Sequence, residues 1–222
     1  AELKPLFESI GRIDKLVTEG EKTPNFDVHA PLLSLPHIFG TTLKTIPARI
    51  PYLFPGTKTN SIFLSNNKHA FKIGIAWAGN SEHVNDHNRS IDLKRFGCLL
   101  DIRNCEFFSL QVGDHSKDIK LHGYSQIIKD LGKQFTDFHH TASAILQLDL
   151  VISVDTAVAH LAGALGKPVW TLLPFVPDWR WMLDRSDSPW YPSMTIFRQK
   201  EMGVWTPVFE QLKLSLMQCS QS

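Results

Sequence analysis

A strand–helix–strand pattern in the second half of the chain constrains the fold more than any other feature. Leu150–Val154 is an apolar, β-branched run that is typical of a buried strand. It leads directly into a predicted helix, Asp155–Leu165. Asp155 can cap the start of this helix, and Gly166 ends it. Pro168–Leu173 is the next predicted strand. Two strands joined by one helix with short connections form a βαβ unit, which requires a parallel sheet.

The same alternation extends from about residue 70 to the end of the chain. About six strands alternating with helices predict a Rossmann-like, doubly wound parallel sheet of the α/β class. The remaining predicted strands are Phe71–Trp77, Glu106–Val112, Gln126–Ile128 and Met194–Phe197, and the helices are Leu93–Leu100, Thr141–Leu148 and Pro207–Met217.

The first 60 residues follow a different pattern. Leu3–Ile10 and Leu35–Phe39 are predicted as short helices and Lys15–Val17 as a short strand, before a proline-punctuated linker. This is too little sequence for a domain of its own. We therefore expect residues 1–60 to be the remnant of an N-terminal α/β domain with its linker, and residues 61–222 to be the Rossmann-like domain. The chain would then be a piece of a longer protein.

Composition excludes several classes of protein. The chain has 222 residues, 43% of them hydrophobic, and its 23 Lys and Arg against 22 Asp and Glu give a net charge of +1. These values exclude a disordered chain, and the absence of a basic field argues against nucleic acid as a partner. No window reaches about 18 consecutive apolar residues, so no transmembrane segment is expected. Three cysteines without metal-site spacing indicate a reducing, cytoplasmic compartment.

The junction between the strand at 150–154 and its helix is the best candidate for a ligand site. Open parallel sheets bind ligands at the carboxyl ends of their strands. The first turn here is Asp155, Thr156, Ala157 and Val158, whose free amides and dipole end would attract an anion. His160, one turn further, can reach a phosphate or a sugar hydroxyl. The alternatives are that the junction is simple capping and that His160 is structural.

Polar residues at other strand ends are weaker candidates. Arg89, in the loop after the first strand, can clamp a phosphate, or it is a solvated loop charge. Gln111 ends a strand, where its amide can contact a base or ribose, although a polar residue at a strand end is equally ordinary. His83 and His87 lack a third ligand, so no metal site is expected.

Aromatic residues indicate a wall of the same pocket. The segment Pro174–Trp181 combines prolines, two indoles and a charge pair after a strand. It predicts a pocket wall for a sugar, because aromatic faces stack on the C–H surfaces of sugars; the alternative is a loop that covers the core. Glycine-rich nucleotide-binding motifs are absent from the sequence, so the pattern alone supports an α/β domain with an anion site. The residues predicted for this nucleoside and sugar pocket are Trp77, Gly79, Asn80, Gln111, Asp178 and Trp179.

The segment Ser153–Val169 resembles the donor site of family nine glycosyltransferases, the bacterial lipopolysaccharide heptosyltransferases. The chain is still more similar to the glycosyltransferase-like domain at the C-terminus of many bacterial tetratricopeptide-repeat proteins. The resemblance covers nearly the whole chain. Its other segments are Phe26–Pro36, Gly40–Leu43, Pro174–Trp181 and Asp187–Ser193.

The resemblance implies a GT-B architecture, in which two Rossmann-like domains face each other across a cleft. Residues 61–222 would then be the domain that binds the nucleotide-sugar donor, and residues 1–60 would be the end of the acceptor domain. The implied reaction is metal-independent and needs no cofactor. It transfers a sugar to an unknown acceptor, which is a glycan, a lipid-linked sugar or a protein.

Site roles follow from the resemblance position by position. Helix-end amides and Arg89 would stabilise the leaving nucleoside diphosphate, although heptosyltransferases usually have lysine at that position and glycine at that of Ala157. Gln111 would lie near the nucleoside. The general base should belong to the missing acceptor half, and His29 is the one ionisable candidate in the part retained. The residues that would hold or support the diphosphate are Arg89, Asp155, Thr156, Ala157, Val158 and His160.

Two other functions stay open from the sequence. One is a non-catalytic nucleotide-binding or interaction module, including an incomplete fragment, because a fold is often kept when its chemistry is lost. The other is a sugar-nucleotide epimerase, which ranks last because no carboxylate pair is evident. An exposed half-domain at the N-terminus would also favour a homodimer.

Overall fold

The computed structural model describes residues 2–11, 13–55, 67 and 69–220. The strands form one six-stranded sheet in the order β3-β2-β1-β4-β5-β6, and every neighbouring pair is parallel. This is the strand order of a doubly wound Rossmann fold, so the predicted fold class is confirmed. The strands are β1 Phe71–Ala76, β2 Cys105–Ser109, β3 Ile128–Asp130, β4 Leu150–Val154, β5 Val169–Leu173 and β6 Met194–Arg198.

Short helices connect the strands and cover the sheet. The longer ones are α6, α7 and α8, and several connections contain one 3-10 turn. The α-helices are α1 Lys4–Phe7, α2 Leu35–Ile38, α3 Asp86–Arg89, α4 Gly97–Leu100, α5 Asp118–Leu121, α6 Phe138–Leu146, α7 Ala157–Ala164 and α8 Thr206–Cys219. Among the described residues, no helix is long and apolar enough to cross a bilayer.

Two hydrophobic cores lie on the two faces of the sheet. One contains the buried faces of α6 and α7 together with Trp181 and Tyr191. The other contains the buried face of α8, including Phe209 and Leu212. Because β4 and β5 are buried along their whole length, they lie between the two cores in the middle of the domain, with α7 packed in the first core.

The N-terminal segment packs on the α6 and α7 face through few side chains. Leu6 and Leu53 are buried in that core, and the N–H of Tyr52 donates to the carbonyl of Ala164 at the end of α7. Several large apolar side chains between them are exposed instead: Phe26, Val28, Leu32, Leu33, Ile38, Phe39 and Leu43. The predicted domain boundary between residues 60 and 61 lies outside the described residues.

Some predicted elements differ from the structure. Lys15–Val17 is irregular rather than a strand, since no neighbouring strand among the described residues can take up its backbone hydrogen bonds. The predicted helix Leu3–Ile10 shortens to α1. The strand predicted at Gln126–Ile128 lies two residues later, as β3, at the edge of the sheet where polar residues weaken the apolar pattern.

Gly132 allows the segment after β3 to approach the segment after β2. A Cβ built at this position would overlap the backbone carbonyl of Gln111. We expect Gly132→Ala to lower the free energy of unfolding by about 1–3 kcal/mol, because backbone atoms would have to move. Chemical denaturation measures this. Gly11→Ala is the control, since its Cβ would meet nothing within 4 Å; equal effects of the two substitutions would contradict the close approach.

Candidate functional site

A cavity of about 740 Å³ opens at the carboxyl edge of the sheet. Its walls come from the loops that follow β1, β2 and β4 and from the segment between β3 and α6. This is the edge at which parallel sheets of this kind bind ligands. The predicted site residues that line the cavity are Gly79, Asn80, Arg89, Gln111, Thr156, Ala157 and Val158.

The first turn of α7 presents backbone N–H groups to this cavity. Thr156 is the N-cap residue, and its side chain makes no capping hydrogen bond. Its hydroxyl lies instead 3.0 Å from the hydroxyl of Ser153. Within the part of the chain that the structure describes, the N–H groups of Ala157 and Val158 have no hydrogen-bond partner. Free N–H groups at the positive end of a helix dipole favour a bound anion.

Arg89 is held beside this helix end by two contacts. Its Nε donates to Oδ1 of Asp86 at 3.1 Å, and its Nη1 donates to the backbone carbonyl of Asp155 at 3.2 Å. The side chain is only 16% exposed. A guanidinium has five N–H groups, so it keeps donors for a ligand after these two contacts. The pairing with Asp86 therefore fixes a cation next to the free amides of α7.

The loop after β1 is built around this pair. Asp86 is buried, and its Oδ1 also accepts from the hydroxyl of Ser90 at 2.8 Å. The N–H of Gly79 donates to the same hydroxyl at 2.9 Å. A Cβ on Gly79 would lie 2.5 Å from Nη2 of Arg89 and 2.6 Å from Oδ1 of Asp86. Only glycine therefore leaves room for the guanidinium at this point.

Gln111 joins the ends of β1 and β2. Its Oε1 accepts from the N–H groups of Trp77 and Ala78, and its Nε2 donates to the carbonyls of Ala78 and Val112. These four hydrogen bonds are 3.0–3.2 Å long, and they use both N–H donors of Nε2 and both lone pairs of Oε1. Gln111 thus fixes the shape of the cavity wall, and its amide has no group left over for a nucleoside.

The side chains of Asp155 and His160 point away from the cavity lining. His160 Nδ1 lies 3.1 Å from the hydroxyl of Tyr191, and its ring stacks on Trp181 at 5.1 Å between centroids. Its Nε2 lies 3.7 Å from Oδ1 of Asp155. The sequence suggests Asp155 as the cap of α7, but the structure has Thr156 at the N-cap position. The carboxylate of Asp155 lies beside the imidazole of His160 instead.

The residues around Asp155 favour the ionised form of its carboxyl group. Burial alone raises the pKa of its carboxyl, but His160 and the Trp181 indole interact with the charged form and outweigh it. The resulting pKa lies below the ordinary value for aspartate. Asp155 and His160 thus form a polar cluster behind the α7 junction, which anchors the helix start.

The other predicted residues lie outside the cavity lining. Trp77 is fully buried, and its Nε1 donates to Asp118 at 2.9 Å. Asp178 caps the turn Trp179–Trp181 by accepting from the N–H of Arg180, while Trp179 is 69% exposed. His29 is exposed on the N-terminal segment with its ring against Phe26.

Sequence reasoning missed the wall between β3 and α6. Asp137 is the N-cap of α6 and accepts from the N–H of His140 at 3.0 Å. Burial raises the pKa of its carboxyl, but the N–H and ring of His140 outweigh this and hold the pKa below its ordinary value. The sequence does contain a signal for this wall, since Asp137 is an aspartate directly before the apolar run of α6 and can cap that helix. The missed lining residues are Glu2, Ala76, Ala78, Ser81, Glu82, Leu110, Val112, Gly113, Asp114, His115, Phe135, Thr136, Asp137, Phe138 and Thr141.

The charges around the cavity fall into two kinds. Arg89 and the α7 amides form a positive region, whereas Glu82, Asp114 and Asp137 supply carboxylates to the rest of the lining. A ligand with one anionic part and one part rich in hydrogen-bond donors fits this distribution. Among the described residues, no group of three or more His, Cys, Asp or Glu could hold a metal ion.

Comparison with known proteins bears on the same region. Residues 131–216 match the family model of Glycosyltransferase family 9 (heptosyltransferase). This range includes the β4–α7 junction and the missed wall at Asp137.

Protein FlbA and the heptosyltransferase WaaC are among the proteins similar to the chain. Protein FlbA of Caulobacter vibrioides is 25% identical over an alignment of 154 residues, which covers 65% of this chain and 25% of FlbA. The structure of E. coli heptosyltransferase WaaC with ADP matches with a TM-score of 0.50 at 13% identity, over 67% of this chain and 45% of WaaC. The match to WaaC shows a shared fold. The chain spans about a quarter of FlbA and under half of WaaC.

Asp155→Asn tests the cluster behind the junction. At pH 7 we expect the free energy of unfolding to fall by about 1–3 kcal/mol, because a buried, charge-assisted interaction is lost. Since the folded-state pKa of Asp155 lies below the unfolded one, its contribution is complete above the ordinary aspartate pKa of about 4. This contribution to stability is lost as the pH falls through the pKa that Asp155 has in the folded protein. Urea denaturation from pH 7 to pH 3 measures the gap between wild type and variant.

The control is Asp101→Asn, which removes an exposed carboxylate. We expect that substitution to change stability little at any pH. If the gap between wild type and Asp155→Asn is the same at pH 3 as at pH 7, the ionised Asp155–His160 interaction does not stabilise the fold.

Proposed function

We propose that this chain is the donor-binding part of a glycosyltransferase that transfers a sugar from a nucleotide sugar to an acceptor. The observation that carries the proposal is the pair of free N–H groups at Ala157 and Val158 beside the anchored guanidinium of Arg89. A diphosphate suits this site because it offers several anionic oxygens to amides and to a guanidinium.

The rest of the cavity supports a nucleoside next to the diphosphate. Carboxylates such as Asp114 and Asp137 accept hydrogen bonds from ribose hydroxyls or base N–H groups. A volume of about 740 Å³ lies within the usual range of about 300–1,000 Å³ for small-molecule sites. The WaaC structure with the same fold was solved with ADP. The family match favours this function over a non-catalytic module.

In the proposed reaction, the α7 amides and Arg89 stabilise charge on the leaving nucleoside diphosphate. No metal ion and no cofactor is needed for that role, since helix-end amides and a guanidinium provide the positive charge. The acceptor is a glycan, a lipid-linked sugar or a protein, and its hydroxyl is deprotonated by a base outside this cavity lining. Asp155 and His160 act as positioning residues for the start of α7.

The sequence resemblance also supports a wider setting for this domain. We propose a bacterial, cytoplasmic protein in which the domain stands beside tetratricopeptide repeats. The exposed apolar side chains of residues 26–43 are compatible with the expected homodimer. Sedimentation equilibrium of the chain distinguishes a dimer from a monomer.

Arg89→Gln tests the diphosphate site. Glutamine keeps an N–H donor for the Asp155 carbonyl but removes the positive charge that would face a phosphate. We expect the affinity for the preferred nucleoside diphosphate to fall about 10-fold, which is about 1.4 kcal/mol. Isothermal titration calorimetry with ADP, UDP, GDP and CDP measures it.

The matched control is Arg95→Gln, since Arg95 is exposed and lies outside the cavity lining. This variant should bind like wild type. The proposal is wrong if folded wild-type protein binds none of the four diphosphates, or if both arginine variants bind equally.

A further inference from the structure

Tyr191 joins the segment between β5 and β6 to helix α7. Its ring lies in the core on the α6 and α7 face of the sheet. A Cβ built on Gly163 of α7 would lie 2.5 Å from Cγ and 2.6 Å from Cδ1 of this ring. The ring therefore rests directly on the backbone of α7, and glycine at position 163 allows this close approach.

This packing places the Tyr191 hydroxyl beside the imidazole of His160. The hydroxyl oxygen lies 3.1 Å from Nδ1 of His160, and the two rings meet edge to face at 5.8 Å between centroids. The imidazole also stacks on Trp181, at 5.1 Å between centroids. Its other nitrogen, Nε2, lies 3.7 Å from Oδ1 of Asp155. Tyr191 and Asp155 thus face opposite nitrogens of one oriented ring.

The charges of these two neighbours decide which nitrogen carries the proton. The carboxyl of Asp155 has a pKa below the ordinary value for aspartate, so it is ionised at neutral pH and can only accept hydrogen bonds. The facing Nε2 therefore carries a proton. A neutral imidazole protonated at Nε2 has an acceptor at Nδ1.

The Tyr191 phenol is the donor for that acceptor. Burial and the neighbouring Tyr52 raise the pKa of this phenol above its ordinary value, so the hydroxyl keeps its proton at pH 8. The contact of 3.1 Å between the hydroxyl and His160 is then a hydrogen bond from the phenol to Nδ1.

We propose that Tyr191 is a positioning residue for the diphosphate site, because its hydroxyl holds His160 as the Nε2–H tautomer whose proton faces the Asp155 carboxylate. The backbone carbonyl of Asp155 accepts from Nη1 of Arg89, and Asp155 directly precedes the N-cap of α7. Tyr191 lies outside the cavity lining, so it acts through His160 rather than on the ligand. The inference rests on the proposed function, since it assumes that a diphosphate binds at the first turn of α7.

Nitrogen-15 NMR of the imidazoles at pH 8 and titration calorimetry with ADP, UDP, GDP and CDP test this on the same samples. Tyr191→Phe removes the hydroxyl and keeps the ring on Gly163, so the fold is retained. His160→Ala identifies the signals of His160 by their loss and provides a background without the imidazole. Tyr124→Phe is the matched control, since Tyr124 is half-buried against the other core and lies outside the cavity lining.

In the wild type we expect an unprotonated Nδ1 and a protonated Nε2 at His160. In Tyr191→Phe the Nδ1–H tautomer should gain population, and the affinity for the preferred diphosphate should fall about 5-fold, which corresponds to the loss of one hydrogen bond. In the His160→Ala background, Tyr191→Phe should change that affinity by less than about 2-fold, because two residues that act through one contact are not additive. Tyr124→Phe should match the wild type in both measurements.

An Nδ1–H tautomer in the wild type, or a tautomer that Tyr191→Phe leaves unchanged, overturns the inference. An equal loss of affinity with and without the imidazole also overturns it, since Tyr191 would then act on the fold and not through His160. If the wild type binds a diphosphate and Tyr191→Phe binds it equally well, the inference fails and the proposed function stands. If the wild type binds none of the four diphosphates, both fail together.

Discussion

The contact of Arg89 with Asp86 and with the carbonyl of Asp155 is the interaction on which the rest of the site depends. It joins the loop after β1 to the junction of β4 and α7, two segments that are 66 residues apart in the sequence. It also places a fixed cation beside the free amides of α7. Gly79 is required because a side chain there would displace the guanidinium. The conformation of the loop after β1 therefore depends on the ion pair between Arg89 and Asp86.

A second set of contacts fixes the other side of the junction. His160 is held by Trp181 and Tyr191, which belong to the segment after β5, and it lies beside the carboxylate of Asp155. The start of α7 is thus anchored from two directions, by Arg89 in front and by an aromatic and ionic cluster behind. Preorganised amides stabilise an anion without reorganising when it arrives. This rigidity is what a site for a leaving diphosphate needs.

The sequence predicts the centre of the fold well and its margins less well. Leu150–Val154 is predicted with the bounds it has in the structure, because a buried central strand has a strong local signal. The edge strand β3 has a weak signal, so its position was two residues off, and the cavity wall around Asp137 that follows it was missed. Local pattern could not show where the Asp155 side chain lies, since its partner His160 is oriented by Trp181 and Tyr191, which meet that imidazole only in the folded protein.

Gln111 shows the same limit at a single residue. Its position at the end of β2 was predicted, and it does line the cavity. Its role depends on backbone groups of the loop after β1, which take up the whole amide. Gln199, which follows β6, differs in its hydrogen bonds: its Oε1 accepts from the N–H groups of Phe175 and Gly203, and its Nε2 has no partner among the described residues. The residue type at a strand end therefore does not predict which backbone groups the amide contacts.

The central claim is that a diphosphate binds at the first turn of α7, and a crystal structure with a bound nucleoside diphosphate tests it most directly. We expect phosphate oxygens about 2.7–3.1 Å from the N–H groups of Ala157 and Val158, with the guanidinium of Arg89 on the same phosphate. The nucleoside should extend toward Asp114 and Asp137. A nucleotide bound elsewhere on the protein, with the α7 amides still unoccupied at saturating concentration, would contradict the account.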